Sequence, residues 1–336
     1  MWSELCGYAN RASVRPVTRT TRFRVGSVSK TLTATVAARL VQRGTLDLDA
    51  PIQRYVKSFP RKRGVVSVRR LLAHTAGIRH YRGAEALSTS RYRSVSDAIR
   101  VFQPTRSLVK PGTRYGYSSY GFNLVGAAIE QIEERPFGAA VATRVLRPLG
   151  LRNTRLDDGR ASSSALYEVT SKRDAVAAPR VDLSNRLPSG GYLSSAEDLA
   201  RFGSMVADSS FLTPPVQRMF FQTGRAGGVS TSYGLGWETA TAPFGLVIGH
   251  TGNVVGGTAF LLAHPGTRTA IAMTTNLGYV TTSGAPNMSN VARSAPALHA
   301  VRAASEAALN GLRPRQGSLP YRGRSRVRAG APRSGS

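Results

Sequence analysis

Three strand signatures follow one another late in this 336-residue chain: GLVIGH (245–250), GTAFLLAHP (257–265) and TRTAIAMTTN (267–276). The Pro265-Gly266 turn joins the last two, and strands joined that tightly pair antiparallel. Helical patterns fill most of the chain before them. From Ser27 onward Leu32, Val36, Ala37 and Leu40 recur at three and four until Gly44 stops the run. Shorter helices are predicted at VRRLLAH (68–74), over 94–103, along NLVGAAIEQIEE and near 137–147. A Gly190-Gly191 turn leads into the helix AEDLARFGSMVA, with Ser194 or Ser195 as N-cap and acids in its first turn. A last helix is predicted over about 295–310, and residues 2–8 (WSELCGY) read as a short strand. Helices inserted between an early strand and three sequential late strands predict an α+β fold: an antiparallel sheet flanked by helices, with an inserted helical region.

Composition narrows the function classes. Lys and Arg number 46 against 18 Asp and Glu, a net charge of +28. The only lysines are Lys30, Lys57, Lys62, Lys110 and Lys172, so the excess is almost all Arg. Seven Arg fall in the last 24 residues, among Pro, Gly and Ser. Residues 311–336 therefore read as a disordered basic tail on a domain of residues 1–310. Without those seven the charge is still +21, but it is spread through the body rather than gathered on one helix. That distribution favours a solvated Arg-rich surface over specific nucleic-acid binding. No uncharged apolar run reaches the ~18 residues of a membrane span. The single cysteine, Cys6, excludes an internal disulfide and a Cys-rich metal site. The N-terminus lacks the basic-then-apolar layout of an export signal, which leaves localisation open.

The chemistry rests on an S-x-x-K pair. It occurs twice, as Ser27-Val28-Ser29-Lys30 and Ser107-Leu108-Val109-Lys110. Pro111 disfavours helix at Lys110, so the second pair need not share a face. Ser27 opens a long helical run, where positions i and i+3 lie together and an amine reaches a hydroxyl. A serine hydroxyl needs a nearby base to be nucleophilic, and a buried lysine of lowered pKa can serve. Tyr117-Ser118-Ser119 then presents a phenol and a hydroxyl on a loop, with positive neighbours expected to lower the phenol's pKa. His250-Thr251-Gly252-Asn253 ends a strand. There Gly252 would admit a substrate closely, and the Asn253 N–H would face the Ser27 N–H as an oxyanion donor.

Order and spacing of these motifs resemble the serine β-lactamase and penicillin-binding protein family, in its class C branch. The resemblance runs from about Trp2 to Leu309, through FRVGSVSKTLTATVAARLVQRGTLDLDAPI, RRLLAHTAGIRHY, PGTRYGYSSYGFNLVGAAIE, SGGYLSSAEDLARFG and HTGNVVGGTAFLLAHP. LLAHTAGIRHY, Y-S-S and H-T-G set it nearest the mitochondrial serine β-lactamase-like branch. The resemblance implies a β-lactamase/transpeptidase-like fold, with Ser27 as acylated nucleophile, Lys30 as proton acceptor and Tyr117 as proton shuttle. Ser119 stands where Asn is usual, and His250 where a Lys would hold a substrate carboxylate. Those departures point to a peptidase or esterase acting on small peptide, ester or lactam carbonyls rather than an efficient β-lactamase. The alternative is a weakly active or inactive scaffold. His74, Arg79 and His80 read as structural. No metal or organic cofactor is implied, and oligomeric state is open. The resemblance also implies a strand before WSELCGY, beside the last strand of the sheet, which this sequence lacks.

Overall fold

The computed structural model describes residues 1–159, 164–170, 174–243 and 245–279. The helix predicted over 295–310 and the basic tail of 311–336 lie outside them. The first part of the chain runs β1 (Tyr8–Asn10), β2 (Arg15–Pro16), β3 (Phe23–Arg24), α1 (Ser29–Gln42), α2 (Val68–Leu72) and α3 (Val95–Ala98). Next come α4 (Ser119–Glu133), α5 (Phe137–Val141), β4 (Arg155–Leu156), β5 (Tyr167–Val169), β6 (Ala175–Ala177), α6 (Leu187–Gly190) and β7 (Tyr192–Ser194). The described part closes with α7 (Ala196–Val206), α8 (Pro214–Phe221), β8 (Arg225–Ala226), β9 (Val229–Ser230), β10 (Glu238–Ala242), β11 (Gly245–Val254), β12 (Gly257–His264), β13 (Thr269–Thr275) and β14 (Leu277–Tyr279).

Strands β10 to β13 form an antiparallel sheet in sequence order, with Thr251 opposite Phe260 and His264 opposite Thr269. The three predicted strands are its last three. Helix α7 lies across β12 and β13. Its cap is Ser195, whose hydroxyl accepts from the Asp198 N–H, and Glu197 and Asp198 occupy the first turn. Gly203 is the point of closest approach: a Cβ there would sit 2.8 Å from Leu261 Cδ1 and 2.9 Å from Ala270 Cβ. Under this layer Trp237 stacks on Phe202 at 5.9 Å between centroids and meets Phe221 edge-on at 5.5 Å.

Helix α1 is buried on nearly every side, Leu32, Val36, Ala37 and Leu40 included, which marks it as the central helix of the fold. It is preceded by a tight 3-10 turn, Gly26–Val28, so Ser27 stands one turn ahead of the α-helix rather than in its first residues. The three-residue spacing to Lys30 is kept. Arg24, on β3 just before that turn, is buried against Asp157 at 2.6 Å and donates to the Val255 carbonyl at 2.9 Å. The hydrogen bond to Val255 thereby ties the Ser27 turn to the β11–β12 hairpin, and the ion pair ties it to the segment after β4.

The strand expected over residues 2–8 begins only at Tyr8. Gly7 takes φ +72°, Met1, Trp2 and Leu5 are exposed, and β1 turns back onto β2 instead of joining the large sheet. Residues 2–7 pair with no strand among the described residues, and a segment left unpaired has nothing to hold it extended. Strand β13 pairs with β12 and is the outermost strand of its sheet among the described residues.

Candidate active site

Ser27 is partly exposed inside a turn whose neighbours Gly26, Val28, Ser29 and Lys30 are buried. Its Oγ accepts a hydrogen bond from the Tyr117 hydroxyl at 2.8 Å and lies 2.9 Å from Lys30 Nζ. Lys30 is buried. It also donates to the Ser189 carbonyl at 2.9 Å and reaches Ser119 Oγ at 3.2 Å. Three predicted residues, Ser27, Lys30 and Tyr117, thus meet at one hydroxyl, and Ser119 joins through the amine. The second S-x-x-K pair has no such geometry: residues 104–112 form no helix, and Ser107 Oγ is buried without a partner among the described residues.

Burial drives the Lys30 pKa well below the ordinary value; Glu238 opposes this and Arg186 adds to it. The same burial raises the Tyr117 pKa, only partly countered by its hydrogen bond to Ser27. This reverses the expectation that positive neighbours would lower the phenol. Lys30 is the nearest positive candidate, and desolvation disfavours its charged form too, so the tyrosine stands as a protonated donor.

Strand β11 forms the opposite wall. Gly252 is buried, and a Cβ there would run into the Val25 carbonyl oxygen and lie 3.0 Å from Ser27 N. A Cβ on Gly26, which takes φ +49°, would lie 2.8 Å from Asn253 N. The turn and the strand therefore meet backbone to backbone, with the Ser27 and Asn253 nitrogens at that contact. Gly252 is required for that contact.

His250 points inward. A carbonyl can only accept, so His250 Nδ1 carries the proton and donates to Thr251 O at 2.6 Å, while Nε2 accepts from the Tyr233 hydroxyl at 2.8 Å. Burial lowers its pKa, with Glu238 the main opposing influence. A buried neutral ring with both nitrogens engaged offers no grip to a substrate carboxylate. Thr251 donates its hydroxyl to Glu238 Oε1 at 3.1 Å.

His74, Arg79 and His80 are structural, and the structure gives their task. His74 Nδ1 accepts from the Ser118 N–H at 3.1 Å, and His80 Nδ1 accepts from the Ser119 N–H at 3.2 Å. The two rings hold the loop that carries Tyr117. Ser118 caps α4 by accepting from the Gly121 N–H, and donates its own hydrogen to Arg79 O at 2.7 Å. Arg79 is clamped bidentate to Glu85 at 2.7 and 2.8 Å, which holds the Glu85 carboxyl down to about 2.

A family model described as Beta-lactamase matches residues 1–293. The chain belongs to the Beta-lactamase family. Among curated relatives, the human "Serine beta-lactamase-like protein LACTB, mitochondrial" is 24% identical over 276 residues, 61% of this chain and 50% of that protein. "Esterase EstB" of Burkholderia gladioli is 34% identical over 163 residues, covering 44% of this chain and 41% of the esterase. This Beta-lactamase family chain thus spans about half the length of the curated relatives it matches. Among solved structures, the D-amino acid amidase of Ochrobactrum anthropi superposes with a TM-score of 0.75 at 21% identity, over 89% of each chain. That likeness shows the β-lactamase/transpeptidase-like fold.

Ser189, Tyr233 and Glu238 are the site residues that sequence reasoning missed. The only hint was the neighbouring Gly190-Gly191 turn. Among the described residues no three His, Cys, Asp or Glu side chains are grouped to hold a metal ion, and no helix is long and apolar enough to cross a membrane.

The His74 contact carries its own prediction. The ring sits among Tyr115, Tyr117, Phe122 and Tyr233, at 4.3 Å from the Tyr117 ring, and its Nε2 has no hydrogen-bond partner among the described residues. His74→Ala removes the acceptor under Ser118 and opens a cavity beneath Tyr117. The expected cost is about 3 kcal/mol of stability in a urea melt. Labelling of Ser27 by a fluorophosphonate should slow about 100-fold, because the phenol is no longer held in place. An unchanged labelling rate in the folded variant would show that the ring only fills space.

Proposed function

We propose that the chain is a serine hydrolase working through an acyl-enzyme on Ser27. The observation that carries this reading is the Ser27 hydroxyl held between Lys30 Nζ at 2.9 Å and the Tyr117 hydroxyl at 2.8 Å. A neutral amine has two hydrogens and one lone pair. The two hydrogens satisfy Ser189 O and Ser119 Oγ, which leaves the lone pair for the Ser27 proton.

The reaction follows from that count. Ser27 Oγ attacks the carbonyl carbon as its proton passes to Lys30. The carbonyl oxygen takes the negative charge and is met by the N–H groups of Ser27 and Asn253. Tyr117 gives its proton to the departing amine or alkoxide and is reprotonated from the Lys30 ammonium. Water then attacks the ester on Ser27 as its proton passes to Lys30, the tetrahedral intermediate collapses with release of the acid, and the Lys30 ammonium returns the proton to Ser27 Oγ.

Peptide and ester carbonyls suit this site better than penicillins. A penicillin presents a carboxylate, and His250 is neutral, buried and engaged at both nitrogens. The test is intact mass after exposure to a fluorophosphonate, an activated ester and a penicillin, for the parent chain beside Ser27→Ala, with circular dichroism on both. A single adduct from the first two reagents, absent in Ser27→Ala and slowest with penicillin, is expected. A folded chain that takes no adduct overturns the reading.

A further inference from the structure

Glu238 lies on β10, paired across the ladder with Gly249. Its Oε1 accepts from the Thr251 hydroxyl at 3.1 Å and, more weakly, from the Thr251 N–H at 3.4 Å; His250 Nδ1 is 3.5 Å away. Thr251 is the residue before Gly252, whose backbone touches the Ser27 turn. Thr251, next to the glycine that touches the Ser27 turn, therefore directs both its hydroxyl and its N–H at a carboxylate of the protein itself. That carboxylate is not sequestered: the Glu238 side chain is 39% exposed.

The neighbouring cations are spoken for. The Arg186 guanidinium is buried over the Tyr81 ring and donates to Asn185 Oδ1 and to the carbonyls of Glu85 and Ala86. Arg24 is locked to Asp157, and His250 is a neutral ring. After burial, Glu238 is the foremost influence on Lys30, His250 and Tyr115 alike, so its field reaches both walls of the cleft. Tyr233 pairs with Glu238 across a β-bridge and, with Tyr115 and Tyr117, packs around His74; aromatic faces favour cations over anions.

We propose that Glu238 is a specificity-determining residue that selects substrates carrying an ammonium group near the scissile carbonyl, such as amino-acid amides and esters or peptides with a free amino end. The proposal rests on the Ser27 hydrolase reading. A substrate carboxylate at this position finds the Thr251 hydroxyl already donated and a like charge behind it. An ammonium finds an exposed carboxylate with hydrogen-bonding capacity left. The chain's overall +28 works the other way at long range, which makes the local effect separable by holding ionic strength near ~0.15 M.

The experiment measures kcat/KM on two charge series. One is the p-nitroanilides of D- and L-alanine with a free, an N-acetylated or an N-succinylated amine. The other is thioacetates whose leaving thiol carries a trimethylammonium, an ethyl or a carboxymethyl group. Together they place the charge on either side of the scissile bond. The readout is the cation-to-neutral ratio within each protein, so it is insensitive to how much of a variant is folded. The parent chain should favour the cationic member in at least one series. Glu238→Gln should lower that ratio about tenfold, and Glu238→Lys should favour the carboxylate-bearing member. Turnover of neutral substrates with a ratio unmoved by Glu238→Gln overturns the role of Glu238 and leaves the hydrolase reading standing. No turnover of any member, with no adduct on Ser27, overturns both.

Discussion

Lys30→Arg should slow acylation of Ser27 by about 10³-fold or more, although it keeps the positive charge that a purely electrostatic role would need. A guanidinium does not give up its proton, so it cannot receive one from Ser27. The native amine can. It is buried, its pKa is driven down chiefly by that burial, and the Ser189 carbonyl and Ser119 hydroxyl use its two hydrogens. Lys30→Met is the companion variant, of similar length, which removes the amine altogether and keeps the packing near Phe122. Both variants should label with fluorophosphonate about 10³-fold more slowly than the parent, whereas Ser27→Ala should not label. An arginine variant labelling within about tenfold of the parent would refute the lone-pair assignment. In the parent, labelling should rise with pH as Lys30 loses its proton, and that rise should occur below the usual lysine range. Stability follows the same sign. Between the folded and unfolded pKa values the unfolded chain holds a proton that the folded chain lacks, so stability increases with pH across that interval. Lys30→Met should remove that slope from a pH series of urea melts.

What the sequence made legible is what local pattern encodes. The apolar spacing of α1, the Ser195 cap of α7 and the strand segments joined by the Pro265-Gly266 turn are short-range signals, and each element lies where its signal does. Ser27, Lys30 and Tyr117 were equally readable, because a three-residue spacing on a helix and a Pro-Gly turn before a loop are local facts. Strand β10 was not. Its residues, ETATA, carry no apolar alternation, and pairing with β11 is what extends them. Helix α8 begins Pro-Pro, which reads as a turn until the buried Val216, Phe220 and Phe221 show which face it covers.

The missed parts of the site are long-range by nature. Ser189 contributes a backbone carbonyl, which any residue type supplies, so no side chain could announce it. Glu238 acquires meaning only when β10 sets it beside Thr251. The pKa of Tyr117 was misjudged for a related reason. Motifs show which groups are neighbours, but desolvation depends on everything else packed around them, and here it outweighs the neighbours' charges.

Gly252→Ala should slow Ser27 labelling in the folded chain as well as cost stability, and the structure supplies a matched control. A methyl at 252 meets the Val25 carbonyl oxygen and stands 3.0 Å from Ser27 N, two backbone atoms that no rotamer change can move aside. Relief requires the Gly26–Val28 turn or β11 to shift. Either motion draws the hydroxyl away from Lys30 and Tyr117, and a displacement of ~1 Å costs on the order of 100-fold in rate. The overpacking itself should cost about 1–3 kcal/mol. Gly203→Ala is of the same kind but remote from the site. Its methyl would crowd Leu261 Cδ1 at 2.8 Å and Ala270 Cβ at 2.9 Å, between α7 and the sheet. The two variants should lose comparable stability in urea melts. Gly203→Ala should still label at Ser27 near the parent rate, whereas Gly252→Ala should label about 100-fold more slowly. Equal labelling of both would mean that the contact between turn and strand tolerates a methyl, and that the hydroxyl is held by its side-chain partners alone. The predicted split instead makes the backbone contact between the Ser27 turn and β11 a part of the catalytic geometry, with Gly252 the residue that permits it.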